Sequence, residues 1–513
     1  MTEIPWLDDA CSLVDAFRKG DRSPVEELEA TLDAIERSDL NCVSHVDPER
    51  ALEAARDADV DKPFGGVPFL VKELDQVQGW PDTQASLLFK DKTADHTSNN
   101  IARAVERGGA VPVGLATASE FGGLNVSVTK LNGVTHNPWR HGRTCGGSSC
   151  GSASAVSGGL VTLASGGDGG GSLRIPGGYT GLLGFKGTYG RTTRGPEAFS
   201  RPGTVVLGNM ARSVRDAARY YDVVCGVDLS DPTSLPSSGT WESDLGTHDL
   251  KGRKVAILPS IGGVTLEPGV EEHTRAAAEE LIEATGMEVV DITLGLPNLA
   301  AQWAMGNLST LVPALGSSWP RRRKELTYEV EAGMMLAETF YNIHVAGVAE
   351  ERRVEAYNAM ADAFSQVDFI MCATNPGPAF AAESTNSAPG RSPLDVLEDN
   401  KALDLLARAG LAGVRVASGI APKLPNLILD AVTERIPDVV TMGGLTIISN
   451  IYGNPAVSIP AGTIDGLPVG LQVLAPHHQD ALLFDVALAA ERHMPWPLVA
   501  PAVSAAAGKV PAG

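Results

Sequence analysis

Apolar and polar positions follow two periods along the chain. Short apolar runs at Val67 to Val71, Val111 to Ala116, Val255 to Leu258, Phe369 to Cys372, Ala456 to Ile459 and Val469 to Val473 predict strands, each set apart by helical or glycine-rich stretches. Ser23-Pro24-Val25-Glu26 reads as an N-cap, a first-turn proline and a capping-box glutamate, and predicts a helix to about Ser38. A second helix is predicted after Asp47-Pro48, and helical periodicity with few breakers runs from Leu326 to Gln366. Strands alternating with helices predict an α/β fold. Residues 227–250 read as a polar connection, and the alanine-rich tail after Pro501 as a loosely held terminus.

Composition changes this picture only by exclusion. The net charge of −21 disfavours unaided binding to nucleic acid or to an anionic membrane surface, which leaves small molecules as the expected partners. One basic cluster, Arg321 to Lys324, precedes the long helical pattern and reads as a solvated helix start. The six cysteines, Cys11, Cys42, Cys145, Cys150, Cys225 and Cys372, form no CxxC pair, so neither a disulfide framework nor a zinc site is expected. With no signal-peptide pattern and no apolar run of spanning length, a cytoplasmic protein is expected.

The stretch from Arg143 to Gly178 breaks the pattern. Residues 142–190 hold 17 of the 56 glycines, which would suit a linker. A linker, however, lacks apolar periodicity, and Ala153, Ala155, Val156, Leu160, Val161 and Leu163 supply it, so the segment is packed. Glycine at this density lets backbone approach backbone or ligand closely and lets successive N–H groups converge on an anion. Spacing tests the competing motifs. A phosphate loop GxxxxGK[ST] fails for want of the lysine, and GxGxxG fails because Arg174 stands where the third glycine belongs. The pattern GxSxG occurs at Gly147 to Gly151, which would make Ser149 an elbow nucleophile, but no apolar strand precedes it.

Ser148 and Ser172 both lie in glycine-rich surroundings, with a small-residue helical stretch between them. A serine hydroxyl needs a base. His136 and His141 are nearby but lack an orienting motif, and read as loop histidines. Lys72 ends the apolar run "GVPFLVK" with Glu73 and Asp75 as polar neighbours. To act as a base near neutral pH its pKa must fall by about three units, which needs on the order of 4 kcal/mol from its surroundings. Taken alone, the run reads rather as a lysine turning outward where a strand meets a loop.

Five motifs in order, "GVPFLVKELD", "GLATASEFGG", "HNPWRHGRTCGGSSCGSASAV", "GGDGGGSLRIPGGYTGLLGFKGTYGR" and "GNPAVSIPAGTIDGLPVGLQVLAP", resemble the amidase signature family of serine hydrolases. The resemblance spans roughly residues 24–495 and is strongest from 63 to 191. It implies an α/β/α sandwich with a large mixed central sheet. It also implies one domain over residues 1–513: N-terminal helices at about 8–60, a signature core at about 63–191, a variable cover at about 227–420 and a C-terminal core segment at about 440–495.

The resemblance further implies a Ser–Ser–Lys triad at Lys72, Ser148 and Ser172, with Ser148 on a cis peptide bond and Ser172 as nucleophile. An oxyanion hole is implied at the N–H groups of Gly169, Gly170, Gly171 and Ser172. Asp168 and Arg174 match a pair that braces this loop, and Glu120, Phe121, Gly122 and Gly123 match a segment bordering the acyl pocket. The expected chemistry is hydrolysis of a small-molecule amide with no cofactor and no metal, with carbamates and esters within reach and a homodimer allowed. The layout resembles stand-alone bacterial amidases, including those acting on aryl amides and nylon oligomers. The alternative is the glutaminase subunit of a tRNA-dependent amidotransferase, which shares the core. Ser149, Ser152 and Ser154 read as helix capping and small-residue packing, and Trp139 as a packing anchor. Three positions depart from the family pattern: Cys145 where proline is common, Cys150 where glycine is usual and Gly167 where threonine is common.

Overall fold

The computed structural model describes residues 4–123, 125–196, 203–237, 239–297, 300–340, 342–384 and 443–507. The expected cover at 385–420, and the segment up to 442, lie outside the described residues. In chain order the strands are β1 (Val43–Val46), β2 (Pro68–Lys72), β3 (Val111–Ala116), β4 (Val128–Thr129), β5 (Gly133–Val134), β6 (Leu163–Asp168), β7 (Gly184–Lys186), β8 (Val206–Met210), β9 (Lys254–Ile257), β10 (Glu288–Val289), β11 (Phe369–Ala373), β12 (Ala456–Ile464) and β13 (Leu467–Leu474).

The fold is α/β, with a large mixed sheet in two sections flanked by helices. One section runs β1-β3-β2-β6-β8 and the other β10-β9-β11-β13-β12-β7. They meet where Leu183, just before β7, bridges Ala211, just after β8. Both sections mix directions: β2 is parallel to β3 and β6, whereas β6 pairs antiparallel with β8. β4 and β5 form a small separate hairpin.

The predicted elements appear with small shifts at their ends. The helix Pro24–Arg37 carries the full capping box, with Ser23 Oγ accepting from the Glu26 N–H and Glu26 accepting from the Ser23 N–H. Asp47 caps the helix Pro48–Arg56. The long periodic stretch divides into Tyr328–Phe340 and Ile343–Phe364. Arg321 to Lys324 lead into it with Arg322 on Glu325 and Arg323 on Glu331. Within the described residues the tail after Pro501 begins as the helix Pro501–Ala507.

Alternation along β2 places the chemistry. Phe69 and Val71 enter the core that holds Phe185, Tyr221 and Phe484, where Phe185 and Phe484 stack at 3.8 Å. Leu70 enters the opposite core with Ala153, Ala155 and Val156 of the helix Cys150–Ser157. Side chains two apart share a face, so Lys72 follows Leu70 to the helix side. The small residues let the helix lie close against the sheet, leaving its N-terminal end over the end of β2.

Candidate active site

Lys72 is buried, with 3% of its surface exposed, and its amine meets the turn that starts the small-residue helix. Nζ donates to Ser148 Oγ at 2.8 Å, to Ser149 Oγ at 2.9 Å and to the Gly167 carbonyl at 3.3 Å. The peptide bond Gly147–Ser148 is cis, and the Gly147 N–H donates to Asn125 Oδ1 at 2.9 Å. Burial pushes the Lys72 amine down from the ordinary lysine value of 10.5 to about 8, against the upward pull of the Asp75 carboxylate. The partial positive charge at the N-terminal end of the helix Cys150–Ser157 acts in the same direction as burial. The inward lysine, and not the outward one, is what the fold builds.

Ser149 departs from its sequence reading. It occupies the N-cap position of the helix Cys150–Ser157 but makes no side-chain capping bond, and its hydroxyl faces Lys72 instead. Ser154 Oγ donates to the His136 carbonyl, and Trp139 Nε1 donates to the Thr180 carbonyl, both packing roles as expected. His136 and His141 stack on each other at 3.7 Å in their loop.

The second serine lies on a loop between β6 and the helix Arg174–Thr180, whose first residue anchors it. The Asp168 carboxylate accepts from Arg174 Nε and Nη2 at 3.0 Å each, and both side chains are fully buried. Burial pushes the Asp168 carboxyl up, and the adjoining guanidinium overcomes it, holding the pKa at about 2. The remaining Arg174 donors reach Thr446 O, Ser449 Oγ, Gln472 Oε1 and Asn450 Oδ1 at 2.6 to 2.9 Å. A fully buried charge needs such complete pairing. The pair thereby ties the loop to the C-terminal part of the chain.

Of the amides expected to converge on an oxyanion, that of Gly171 is committed elsewhere, and Gly169 is itself engaged. The Gly171 N–H donates to Asp168 Oδ1 at 2.7 Å, so it serves the loop brace in this structure. The Gly170 and Ser172 N–H groups make no hydrogen bond among the described residues. Gly171 has φ +129, and a Cβ there would meet Thr446 Oγ1 at 2.3 Å, so both conformation and space call for glycine. Thr446 Oγ1 lies 2.6 Å from the Gly170 carbonyl as donor, a contact the sequence offered no signal for. Ser172, like Gly169 in the same loop, is partly exposed, and its hydroxyl makes no hydrogen bond among the described residues. Lys72 and Ser148 are thus joined directly, whereas Ser172 makes no hydrogen bond to either of them.

The segment from Glu120 to Gly123 divides. Gly122 has φ +68, and a Cβ there would lie 3.4 Å from Ser148 Oγ, so it borders the serine. Phe121 packs edge-on to Phe89 at 5.6 Å, and Gly123 approaches Val330. Glu120 turns its side chain to the loop's own support. Its buried carboxylate accepts from Ser86 Oγ and from both the N–H and hydroxyl of Thr327, each at 2.6 Å, and fastens the loop to the middle region.

The three departures from the family pattern are all buried. A Cβ on Gly167 would press on Leu207 Cδ2 at 3.1 Å. Cys150 is buried, with Sγ 3.5 Å from the Thr117 carbonyl, and burial pushes its thiol up to about 11. Cys145 is buried and its thiol is also pushed up. Neither has the character of a reactive thiolate.

The amidase family model matches residues 26–425. The chain belongs to the amidase signature family. Amide C–N bond hydrolysis in general is the chemistry this membership supports. The chain is 32% identical to a glutamyl-tRNA(Gln) amidotransferase subunit of Salinispora tropica, over 96% of this chain and 98% of that one. It is 31% identical to the subunit of the same name from Akkermansia muciniphila, over 93% and 97%. Among solved structures, a bacterial aryl acylamidase superposes with a TM-score of 0.80 at 23% identity, covering 96% of this chain and 97% of that one. A 6-aminohexanoate cyclic dimer hydrolase gives 0.79 at 24%, covering 97% and 99%. At those identities the superpositions speak for the amidase signature fold. No helix among the described residues is long and apolar enough to cross a membrane.

Proposed function

We propose that this chain is a single-domain amidase that hydrolyses a small-molecule amide through Lys72, Ser148 and Ser172. The observation that carries the reading is the buried Lys72 amine, 2.8 Å from Ser148 Oγ and lowered to about 8. Neutral Lys72 accepts the Ser148 proton while Ser148 accepts that of Ser172. Ser172 Oγ then attacks the carbonyl carbon, with the Gly170 and Ser172 amides facing the developing oxyanion. The C–N bond breaks as Ser148 returns a proton to the leaving nitrogen. Water attacks the ester by the same route, releasing the acid and restoring Ser172. In this reading Asp168 and Arg174 brace the loop, and Gly122 forms a wall at Ser148. Six unpaired cysteines suit a cytoplasmic location.

The test is a panel of aliphatic, aryl, amino-acid and carbamate substrates run on the wild type and on Ser172→Ala. Turnover of at least one amide that disappears in the variant supports the reading, and full activity in the variant overturns it.

A second reading, the glutaminase subunit of a tRNA-dependent amidotransferase, is favoured by the identity to the Salinispora tropica protein over nearly its whole length. Purification separates the two. A stand-alone amidase turns over amides by itself, whereas the subunit prefers glutamine and co-purifies with partner proteins.

A further inference from the structure

Against the main chain of Lys72 lies a buried carboxylate that the hydrolytic scheme does not use. Asp75 turns back under the end of β2, and its N–H donates to the Lys72 carbonyl at 2.8 Å. Its carboxylate accepts from Ser165 Oγ at 3.0 Å, and Ser165 Oγ accepts in turn from the Lys72 N–H at 2.8 Å. Asp75 therefore grips the main chain of Lys72 at both of its polar groups, once directly and once through a hydroxyl on the neighbouring strand β6.

A grip on backbone alone needs no charge. Asp75 is nevertheless an acid with only 9% of its surface exposed, and among the described residues no arginine, lysine or histidine forms an ion pair with it. The groups facing it from the packed helices are neutral: the Asn100 carboxamide from Asn99–Glu106 and the Tyr220 phenol from Val214–Val224, both fully buried. Among the described residues, Lys72 is the cation that acts on it. In the other direction, the charged or titratable groups acting on Lys72 are Asp75, Cys150 and Asp168, and Asp75 is the strongest of them. Glu73, the other acid beside Lys72 in sequence, is engaged by Thr83 and Asn132. An isolated buried carboxylate is costly, so its place against the main chain of Lys72 calls for a reason.

We propose that Asp75 is a positioning residue for Lys72, acting through Ser165 on the Lys72 main chain and through its own charge on the Lys72 amine. The charge opposes burial and keeps the amine titrating in a range where it both takes and returns a proton. The inference rests on Lys72 serving as the base.

The experiment measures the rate at which a fluorophosphonate labels the full-length protein between pH 5 and 10, for the wild type, Asp75→Asn, Ser165→Ala and Lys72→Ala. Removing the charge in Asp75→Asn is expected to move the acid limb of the profile to lower pH by about one unit. Ser165→Ala is expected to keep the limb in place and lower the plateau about tenfold, since only the backbone grip is lost. An acid limb unmoved in folded Asp75→Asn overturns the proposal. Should that variant fail to fold, an unchanged plateau in Ser165→Ala overturns it. Lys72→Ala separates this from the underlying reading: wild-type labelling there removes the base itself, whereas slow labelling there with an unmoved Asp75→Asn limb removes only the role of Asp75.

Discussion

Lys72 Nζ and Ser148 Oγ lie 2.8 Å apart although 76 positions separate them in the chain. The contact joins the end of a buried strand to the turn that opens the helix Cys150–Ser157. Because burial brings the amine to about 8, the base form grows as pH rises through that value. The rate kcat/KM for an amide is therefore expected to climb with pH and level off above about 8. Lys72→Ala is expected to lose about 10³-fold or more in kcat while keeping a wild-type circular dichroism spectrum, a loss in keeping with removal of a general base.

Asp168→Asn leaves the Arg174 guanidinium buried with its main charge partner gone, and is expected to cost about 3–5 kcal/mol of stability in urea unfolding. The pH dependence follows from the sign of the shift. The folded pKa of about 2 lies below the ordinary aspartate value, so the stabilisation is present at neutral pH and is lost as pH falls through about 2. The gap between wild type and variant should narrow in that acid window.

Gly171→Ala forces a Cβ to 2.3 Å from Thr446 Oγ1 at a backbone angle that side chains rarely adopt. Displacing the loop moves the Gly170 and Ser172 amides, and kcat is expected to fall about 10²–10³-fold. Thr446→Val removes the hydroxyl bonded to the Gly170 carbonyl, with an expected loss of about tenfold in kcat and little change in KM. Steady-state kinetics on one amide compares the two.

All six cysteines are unpaired and buried. Ellman's reagent is expected to find no reactive thiol in the native protein and six in denaturant. Rapid native labelling of Cys150 would contradict its placement against Thr117.

The strands β2, β3, β9, β11, β12 and β13 and the capped helices were readable because apolar runs and capping are local signals. The strands β6 and β8 were not: "LASGGD" and "VLGNM" are too glycine-rich or too polar to look like strands, and only their mutual pairing makes them so. The same limit applied at the site. Lys72, Ser148 and Ser172 stand in recognisable motifs, but the Asp75–Ser165 link and the Thr446 contact with the Gly170 carbonyl join residues 90 and 276 positions apart. Ser149 looked like a cap because its position is a cap position; the neighbouring amine claims its hydroxyl. Glu120 stood in a motif that borders the pocket, yet the middle region, through Thr327, claims its carboxylate. Gly171 shows the same competition at the backbone, where Asp168 takes an amide counted toward the oxyanion.

The most direct measurement is peptide mapping by mass spectrometry after treatment with a fluorophosphonate. A single adduct on Ser172, absent from Ser172→Ala and slow to form in Lys72→Ala, is the expected result. An adduct on Ser149 or Cys150 in place of Ser172, or labelling undiminished in Ser172→Ala, would contradict the assignment of the nucleophile.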